Sequence, residues 1–359
     1  MVAGDEPSDD HVSRVSVETL PEGGVRIHDR IDRRNYTVET GGDIEPAPAD
    51  GDRFRYPIDV AVAFATDRLE FRPTGAAFVH EAGSSMSLDP FEREEFTAGT
   101  YTIEVSGPLK LYVEVTGPCA VENKLNVLTV EMETADAVVV GARSLHERPA
   151  ATVTTTTDPV DVMRAVSTFG TELKTLGSKR SYPTLRGHPP VVSVGEELSV
   201  PAGLEPSAGP IHVEVPADLE CVLPVASLAY YLGAEVRPGE PAAVVVDGRR
   251  YPLDREGLER GVERTLKRTL FLDCLVRTVD ERETPVAERK ALEGVLDVDI
   301  ESLYGRPAAE RLERYMTVPY ERIEGQFPNW VLTAHVRPSG SSIEAIPFLA
   351  NDLGRYDDG

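Results

Sequence analysis

The sequence predicts an α+β protein with two domains: an N-terminal antiparallel β-sandwich of jelly-roll-like type and a C-terminal mixed α+β domain. Apolar residues alternate with polar ones at period two over roughly the first 150 residues, whereas apolar stripes of helical period dominate later. A chain of 359 residues also exceeds what one small core needs. We therefore expect the sandwich at 12–150 and the α+β domain at 151–353, with disordered ends at 1–11 and 354–359.

The clearest strands of the first half lie at 101–106 and 111–116. In both runs apolar side chains alternate with polar ones, and the turn dipeptide Gly107-Pro108 separates the runs, which predicts a hairpin with one buried face. Shorter runs of the same kind lie at 12–17, 25–28, 56–64, 69–71, 77–80, 125–133 and 137–142. Turn signals separate them at intervals of roughly ten residues, which is typical of a sandwich or jelly roll rather than of a βαβ fold.

Helix signals begin after the threonine-rich stretch at 152–157. Asp158 and Pro159 fit the N-cap and the first position of a helix that we expect to reach Thr175. Short strands are predicted at 191–194, 198–200 and 211–215, an apolar helix at 219–232, and a hairpin of 243–246 with 249–253. Asp247-Gly248, at the centre of that hairpin, is the strongest turn signal in the chain.

The strongest helix prediction covers 255–279. The residues of its apolar stripe are Leu258, Val262, Leu266, Leu270 and Cys274. The opposite face carries acid-before-base pairs at a spacing of four, which are Glu256–Arg260, Glu263–Lys267 and Asp273–Arg277. Such pairs stabilise a helix by roughly 0.2–0.5 kcal/mol each. Further helices are predicted to start at Thr284-Pro285 and to run from Pro307 to Tyr315.

Charge is the most unusual property of the composition. Sixty-one acidic residues against 37 basic ones give a net charge of -24, and lysines make up only six of the bases. An acidic surface that prefers arginine to lysine is typical of cytoplasmic proteins of halophiles, in which salt screens the self-repulsion. An acidic surface that binds a basic partner is the alternative. Nucleic-acid binding is disfavoured, because phosphate contacts need a basic face.

Cysteines and apolar runs bear on location and cofactors. Cys119, Cys221 and Cys274 are widely separated and odd in number, so we expect reduced thiols in a cytoplasmic protein. The N-terminus lacks the features of a secretory signal, and the longest apolar run, 222–234, is too short to cross a bilayer. No histidine pair or cysteine spacing of a metal site occurs, and we predict neither a metal nor a cofactor.

A locally basic segment is the first candidate binding site. Lys174, Lys179, Arg180 and Arg186 are opposed there by a single acid, Glu172. One interpretation is a contact for an acidic partner or a phosphorylated small molecule. The other is that these bases neutralise carboxylates of their own domain. The segment is not a phosphate-binding P-loop, because its glycines are separated by six residues where that motif needs four.

An aromatic group is the second candidate site. Tyr315, Tyr320, Phe327 and Trp330 lie close together in a chain with 6% aromatic residues. Tyrosine and tryptophan are favoured at binding hot spots, so this group could form a docking surface for a partner. Alternatively, it is a packing cluster that fixes this segment on the preceding helix.

Three segments carry a resemblance to a known family. Tyr230-Tyr231-Leu232-Gly233-Ala234, Arg249-Arg250-Tyr251-Pro252-Leu253 and the stretch from Arg314 to Leu353 resemble the N-terminal, non-peptidase region of large haloarchaeal proteins with a C-terminal caspase-like domain of the CHAT type. The resemblance implies an accessory region, with the catalytic His and Cys downstream. No residue of this chain matches that dyad. The family pattern would continue after Leu353, so we expect 354–359 to mark a truncation, a separate short gene product or an altered reading of the end.

These observations lead to three functional hypotheses. The first is a non-enzymatic interaction or regulatory module, associated in cis or in trans with a caspase-like effector domain. The second is an enzyme of unrecognised type with an interdomain site, although no Gly-x-Ser-x-Gly elbow or paired cysteine nucleophile is present. The third is a ligand-binding β-sandwich for a sugar or a peptide, for which the aromatic candidates are Tyr36, Tyr56, Phe91 and Tyr101. The alternative for these four residues is that all of them belong to the core.

Overall fold

The computed structural model describes residues 14–356 except 55, 73–76, 82–83, 125, 147, 207–208, 280–286, 293–295, 297, 328–332 and 335–338. It contains both a large antiparallel sheet and many helices, so the predicted α+β class is confirmed. The chain divides into two compact units, Met1–His146 and Glu147–Gly359.

The described residues of the first unit form one antiparallel sheet of 12 strands. These strands are β1 (Val15–Thr19), β2 (Val25–Asp29), β3 (Arg34–Thr40), β4 (Ala47–Pro48), β5 (Val60–Arg72), β6 (Ala77–Glu81), β7 (Ser84–Leu88), β8 (Glu92–Phe96), β9 (Thr100–Ser106), β10 (Lys110–Thr116), β11 (Cys119–Lys124) and β12 (Val127–Arg143). The hairpin predicted at 101–116 is confirmed as β9 and β10, with Ile103 opposite Val113.

Two long strands join the halves of this sheet. The start of β12 pairs with β11 and with the end of β5, whereas its later part pairs with β10 and with the start of β5. Side chains from both halves, among them Ile27 and Ile103, fill one core. The sheet therefore folds over this core as a sandwich does, but the layers belong to one continuous sheet.

The second unit combines small sheets with helices. Its strands are β13 (Thr152–Thr155), β14 (Val191–Val194), β15 (Ile211–Val215), β16 (Glu235–Pro238), β17 (Ala243–Val246), β18 (Arg249–Pro252), β19 (Thr333–Ala334) and β20 (Arg355–Tyr356). Its helices are α1 (Pro159–Ser167), α2 (Pro183–Arg186), α3 (Leu219–Leu232), α4 (Leu258–Arg277), α5 (Ala287–Leu292), α6 (Ile300–Leu303), α7 (Ala308–Thr317) and α8 (Ile346–Asn351). The four-stranded sheet runs in the order β16-β15-β17-β18, and β15 and β16 are parallel.

Helix α3 is the centre of the main core of the second unit. Every residue from Val222 to Leu232 is buried, which explains why this stretch is apolar on all sides. Asp218 caps its start by accepting a hydrogen bond from the Glu220 amide, and Gly233 ends it in the left-handed conformation with φ 64°. The bounds predicted for this helix agree with the structure.

Helix α4 takes part in two cores. Val262 and Leu266, in its first half, pack into the core around α3. Leu272 and Val276, in its second half, belong to a separate core with residues of α5, α6 and α7. The polar residue Asp273 is buried on the same helix, so α4 brings a carboxylate into the interior between apolar contacts.

The second unit confirms one local prediction and corrects another. Asp247 and Gly248 form the predicted hairpin turn with φ values of 47° and 79°, the positive pair that a type I′ turn requires. The helix expected to reach Thr175 instead ends at Ser167 and continues as a short 3₁₀ helix, 168–172. The Thr168 hydroxyl donates to the Ala165 carbonyl at 2.7 Å and so competes with the regular helical pattern.

Two further predictions have different outcomes. The strand predicted at 198–200 is reduced to an isolated bridge between Ser199 and Thr154. The helix start at Thr284-Pro285 lies outside the described residues, although the following helix α5 is described.

Candidate functional site

A buried polar cluster lies at the centre of the second unit, around the carboxylate of Asp273. Its Oδ2 accepts hydrogen bonds from Arg180 Nε and from the Tyr231 hydroxyl, both at 2.9 Å. Its Oδ1 accepts from the Tyr315 hydroxyl at 2.9 Å and lies 3.5 Å from Arg311 Nε. These five side chains are at most 3% exposed, so solvent does not reach the carboxylate.

Four separate chain segments supply this cluster. Asp273 comes from α4, Tyr231 from the last turn of α3, and Arg311 and Tyr315 from successive turns of α7. Arg180 comes from a short 3₁₀ helix at 178–181. The spacing of four between Arg311 and Tyr315 places both on the same face of α7, and this face meets Asp273.

Burial and charge together set the titration of the cluster. Burial, and then the adjacent Asp273 carboxylate, raise the pKa of Tyr231 and of Tyr315 well above the usual value for tyrosine. Burial acts to lower the pKa of Arg180, but the charge of Asp273 and its hydrogen bond, together with the neighbouring Tyr231 and Tyr315, outweigh it, and the pKa is raised. The guanidinium and the phenols therefore keep their protons, and the cluster binds its own groups together rather than offering one for reaction.

The predicted basic segment contributes to this interior. Lys179, Arg180 and Arg186 are buried, and Lys174 is half-buried. Arg186 Nε donates to the Arg180 carbonyl at 2.9 Å, and the Lys179 ammonium lies 5.8 Å from the centre of the Tyr304 ring. Arg180 pairs with Asp273, a carboxylate of its own domain, which is the arrangement expected if these bases neutralise internal acids. Contact with an outside partner through these four residues stays an untested prediction.

The predicted aromatic group divides among different environments. Tyr315 is fully buried in the Asp273 cluster. Phe327 packs edge-to-face on Phe271 of α4 with 5.1 Å between ring centres, and Tyr320 lies 5.3 Å from Phe327. These contacts fix the segment on α4, as the packing interpretation describes. Trp330 lies outside the described residues.

Tyr320 also lines an open cleft beside α4, which we call the arginine–tyrosine cleft. Its volume is about 380 Å³, within the range of small-ligand sites. The lining residues come from the end of β18 and the following loop, from α4, and from the segment 316–321. Gly261 permits close contact of α4 with that loop, because a Cβ there would lie 1.7 Å from the Leu253 carbonyl oxygen.

Two arginines on successive turns of α4 differ in their partners within this cleft. Arg264 forms ion pairs with Glu256 at 2.5 Å and with Glu321 at 2.6 Å, and its guanidinium lies 4.5 Å from the Tyr320 ring centre. Arg268 has no carboxylate within 4.0 Å among the residues that the structure describes. Burial, and secondly the neighbouring Arg264, lower the pKa of Arg268. Arg268 thus lies in the cleft without an ion-pair partner among the described residues, although the charge of Glu321 in the same cleft acts to raise its pKa.

The surroundings of the three cysteines disfavour the thiolate form. Burial raises the pKa of Cys119 to about 11, and burial is also the largest influence raising the pKa of Cys221 and Cys274. Thiols with raised pKa values are mostly protonated near neutral pH, which makes them poor nucleophiles.

The four aromatic candidates of the first unit do not form an exposed platform. Tyr36 and Tyr101 are buried in the core, and Tyr56 stacks on Tyr112 with ring centres 5.4 Å apart. Phe91 is 76% exposed and has φ 70°, an uncommon conformation for a bulky residue. Tyr36 and Tyr101 thus belong to the core, which is the alternative that the sequence leaves open for these residues.

Metal clusters and membrane-spanning helices are absent from the described residues. Within the described ranges, no group of three or more His, Cys, Asp or Glu side chains could hold a metal ion, and no helix is long and apolar enough to cross a membrane. Comparison with protein-family models, with curated proteins and with solved structures finds no match for this chain.

Sequence reasoning missed the two residues that matter most in this region. The sequence pattern predicts Asp273 on the outer face of α4 as a partner of Arg277, but Arg277 instead donates to the Ser181 hydroxyl at 2.9 Å. Asp273 follows Leu266 by seven residues, so it lies close to the same helix face, and this spacing could have revealed it. The sequence around Arg268 gives no comparable indication, because whether this arginine has an ion-pair partner depends on the tertiary fold.

Proposed function

We propose that the chain is a non-enzymatic interaction module and that its partner is a caspase-like effector domain, bound through the arginine–tyrosine cleft. One observation supports this proposal above all. The cleft presents Arg264, Arg268 and Tyr320 together on the rigid helix α4 and the segment packed on it. Arginine and tyrosine are the residue types that supply much of the binding energy at protein interfaces.

The closed Asp273 cluster also favours binding over catalysis. It contains the largest concentration of shifted pKa values in the described second unit, which is the usual mark of an active site. Yet its carboxylate already contacts two guanidiniums and two hydroxyls and is inaccessible to a substrate. The cluster therefore stabilises the unit that presents the cleft. The partner's identity rests on the resemblance of the segments around Tyr230, Tyr251 and Arg314–Leu353.

A binding experiment with purified components tests this proposal. A protein containing a caspase-like domain, co-purified with the full chain in high salt, would be produced separately and titrated against the chain by calorimetry. We expect Tyr320→Ser to weaken binding at least tenfold, and Phe348→Ser to leave it unchanged. Phe348 is a matched control because it is 51% exposed in the same unit and does not line the cleft. The absence of binding to any caspase-like domain would refute the assignment.

A further inference from the structure

The guanidinium of Arg268 lacks an anionic partner in the described structure. Its Nε is buried without a hydrogen-bond partner, and its NH1 group donates only to the Met316 sulfur, at 3.6 Å. Thioether sulfur is a weak acceptor. A partly buried cation in this situation gains free energy from any anion that can enter beside it. Arg264, one turn earlier, has two carboxylates and does not need one.

A second donor without a partner lines the same cleft. The hydroxyl of Tyr251, at the start of the cleft wall on β18, is buried and has no hydrogen-bond partner among the described residues. A buried hydroxyl without a partner is unfavourable, and an acceptor placed beside it would remove that cost. Tyr251 and Arg268 are thus two lining residues with unused donor atoms.

The charge and the apolar surface of the cleft restrict which type of anion can bind there. Its charged lining residues are Arg255, Arg264, Arg268, Glu256 and Glu321, which leave one net positive charge. One excess charge suits a monoanion, and the two glutamates would repel a doubly charged phosphate. Val318 and Pro319 add apolar surface beside the arginines, which suits a ligand with an apolar body.

We propose that the arginine–tyrosine cleft binds a monocarboxylate with an apolar body, whose carboxylate pairs with Arg268 and accepts a hydrogen bond from Tyr251. The inference rests on the proposed function in using the same cleft, and it names the chemistry recognised there. Two sources share that chemistry: the C-terminal carboxylate of a peptide that ends in an apolar residue, and a small aromatic or aliphatic carboxylic acid.

Calorimetric titration of the full chain with defined probes tests the proposal. The small probes are N-acetyl-phenylalanine, its amide and phenyl phosphate, and the peptide probes end in phenylalanine as the free acid or the amide. We expect both free acids to bind at least tenfold more tightly than their amides and than phenyl phosphate. Preferential binding of the peptide acid identifies a chain terminus as the ligand, whereas equal binding identifies the small carboxylic acid as sufficient.

Variants locate the binding to the cleft. Arg268→Met should weaken acid binding at least tenfold, and Tyr251→Phe about fivefold, as expected for the loss of one hydrogen bond. Arg260→Met is the matched control, because Arg260 lies exposed on the same helix and does not line the cleft. Circular dichroism confirms folding of each variant, and Arg268→Lys, which keeps the charge, should retain part of the affinity.

The outcomes separate this inference from the proposed function. Absence of acid binding, equal binding of acid and amide, tighter binding of phenyl phosphate, or unchanged binding by a folded Arg268→Met variant would each overturn the carboxylate assignment. If a caspase-like domain still binds in a Tyr320-dependent manner, the interaction module stands without it. If the acids bind but no such domain does, the cleft is a carboxylate site and the partner proposal fails.

Discussion

At the residue scale, Asp273 shows how one carboxylate can connect distant parts of a sequence. Its hydrogen-bonded partners Arg180, Tyr231 and Tyr315 are separated from it by 93, 42 and 42 residues. The two nearby guanidiniums depend on its charge, because a buried arginine without an anion is strongly destabilising. The stability of the second unit should therefore respond more to Asp273 than to any exposed acid.

Asp273→Asn removes this charge with little change in shape. We expect the free energy of unfolding to fall by about 3–5 kcal/mol, since two buried guanidiniums lose their counter-ion. Urea unfolding followed by circular dichroism measures the change. Asp254→Asn, on an exposed residue of the same unit, should alter stability by less than about 0.5 kcal/mol. A loss below about 1 kcal/mol for Asp273→Asn would contradict the role assigned to the carboxylate.

The surroundings of Glu104 predict that the stability of the first unit depends on pH. Burial acts to raise the pKa of Glu104, but hydrogen bonds from His80 at 2.9 Å and from Lys110 outweigh it and lower the pKa from 4.5 to about 2. Because the folded-state pKa is lowered, the carboxylate stabilises the fold fully above its unfolded pKa. This contribution, at most about 3 kcal/mol, is lost as pH falls from about 4.5 to about 2.

Urea unfolding of the wild-type chain and of Glu104→Gln between about pH 6 and about pH 2.5 measures this contribution. The wild type should lose more stability than the variant across that interval, because the amide does not titrate. Glu95→Gln, on an exposed residue of strand β8, which does not pair with the strand of Glu104, should behave like the wild type. Parallel curves for wild type and Glu104→Gln would show that the pair with His80 and Lys110 does not stabilise the fold.

At the scale of elements, local sequence patterns predicted most strands and helices. They did not predict where two apolar runs form one continuous strand. The turn signals at Gly107-Pro108 and Asp247-Gly248 fix their hairpins because the turns depend on adjacent residues alone. The predicted runs 56–64 and 69–71 instead form the single strand β5, since no glycine or proline interrupts it and the Thr66 hydroxyl bonds to the Arg68 amide and carbonyl.

Helix α4 shows why the buried face was predicted only in part. A stripe taken at every fourth residue rotates by about 40° at each step, so it leaves the core after two or three turns. Leu270 and Cys274 at the end of that stripe are accordingly only partly buried. Thr269, Leu272 and Asp273 are fully buried instead. The candidate cleft could not be predicted from such a stripe, because its walls come from three separate segments of the chain.

A substitution at Gly261 tests the contact between α4 and the loop after β18. Gly261→Ala should destabilise the second unit by about 1–3 kcal/mol or more, because the added Cβ would overlap the Leu253 carbonyl and push the helix away. The same shift should alter the cleft and weaken ligand binding. Gly325→Ala is the control, since no heavy atom lies within 4 Å of a Cβ there. Unchanged stability in Gly261→Ala would mean that the helix adapts freely.

At the scale of the whole molecule, the net charge of -24 predicts a strong dependence on salt. Raising the KCl concentration from about 0.1 M to about 1 M shortens the screening length from about 10 Å to about 3 Å, so repulsion among the surface carboxylates falls. We expect the midpoint of thermal unfolding to rise by about 5 °C or more. This rise is what the acidic composition of a halophilic protein predicts.

A variant with fewer exposed acids separates screening from general effects of salt. The substitutions are Glu39→Gln, Glu95→Gln, Glu133→Gln, Glu196→Gln and Glu197→Gln, all at exposed positions. This variant should show a smaller rise in the midpoint than the wild type, because less repulsion remains to be screened. An equal rise in both proteins would attribute the effect to salt hydration rather than to charge.

Buried basic residues give the interior of the second unit a positive net charge, whereas the surface of this acidic protein is negative. Among the described residues of this unit, Lys179, Arg180, Arg186 and Arg311 are the buried lysine and arginines, and Glu172 and Asp273 are the buried acids. The electric field within the unit therefore points from the interior toward the acidic exterior. An anion that approaches from solution is first repelled and then, once inside a cleft, attracted. Such a protein would reject anions that bind only at its surface and retain those small enough to enter.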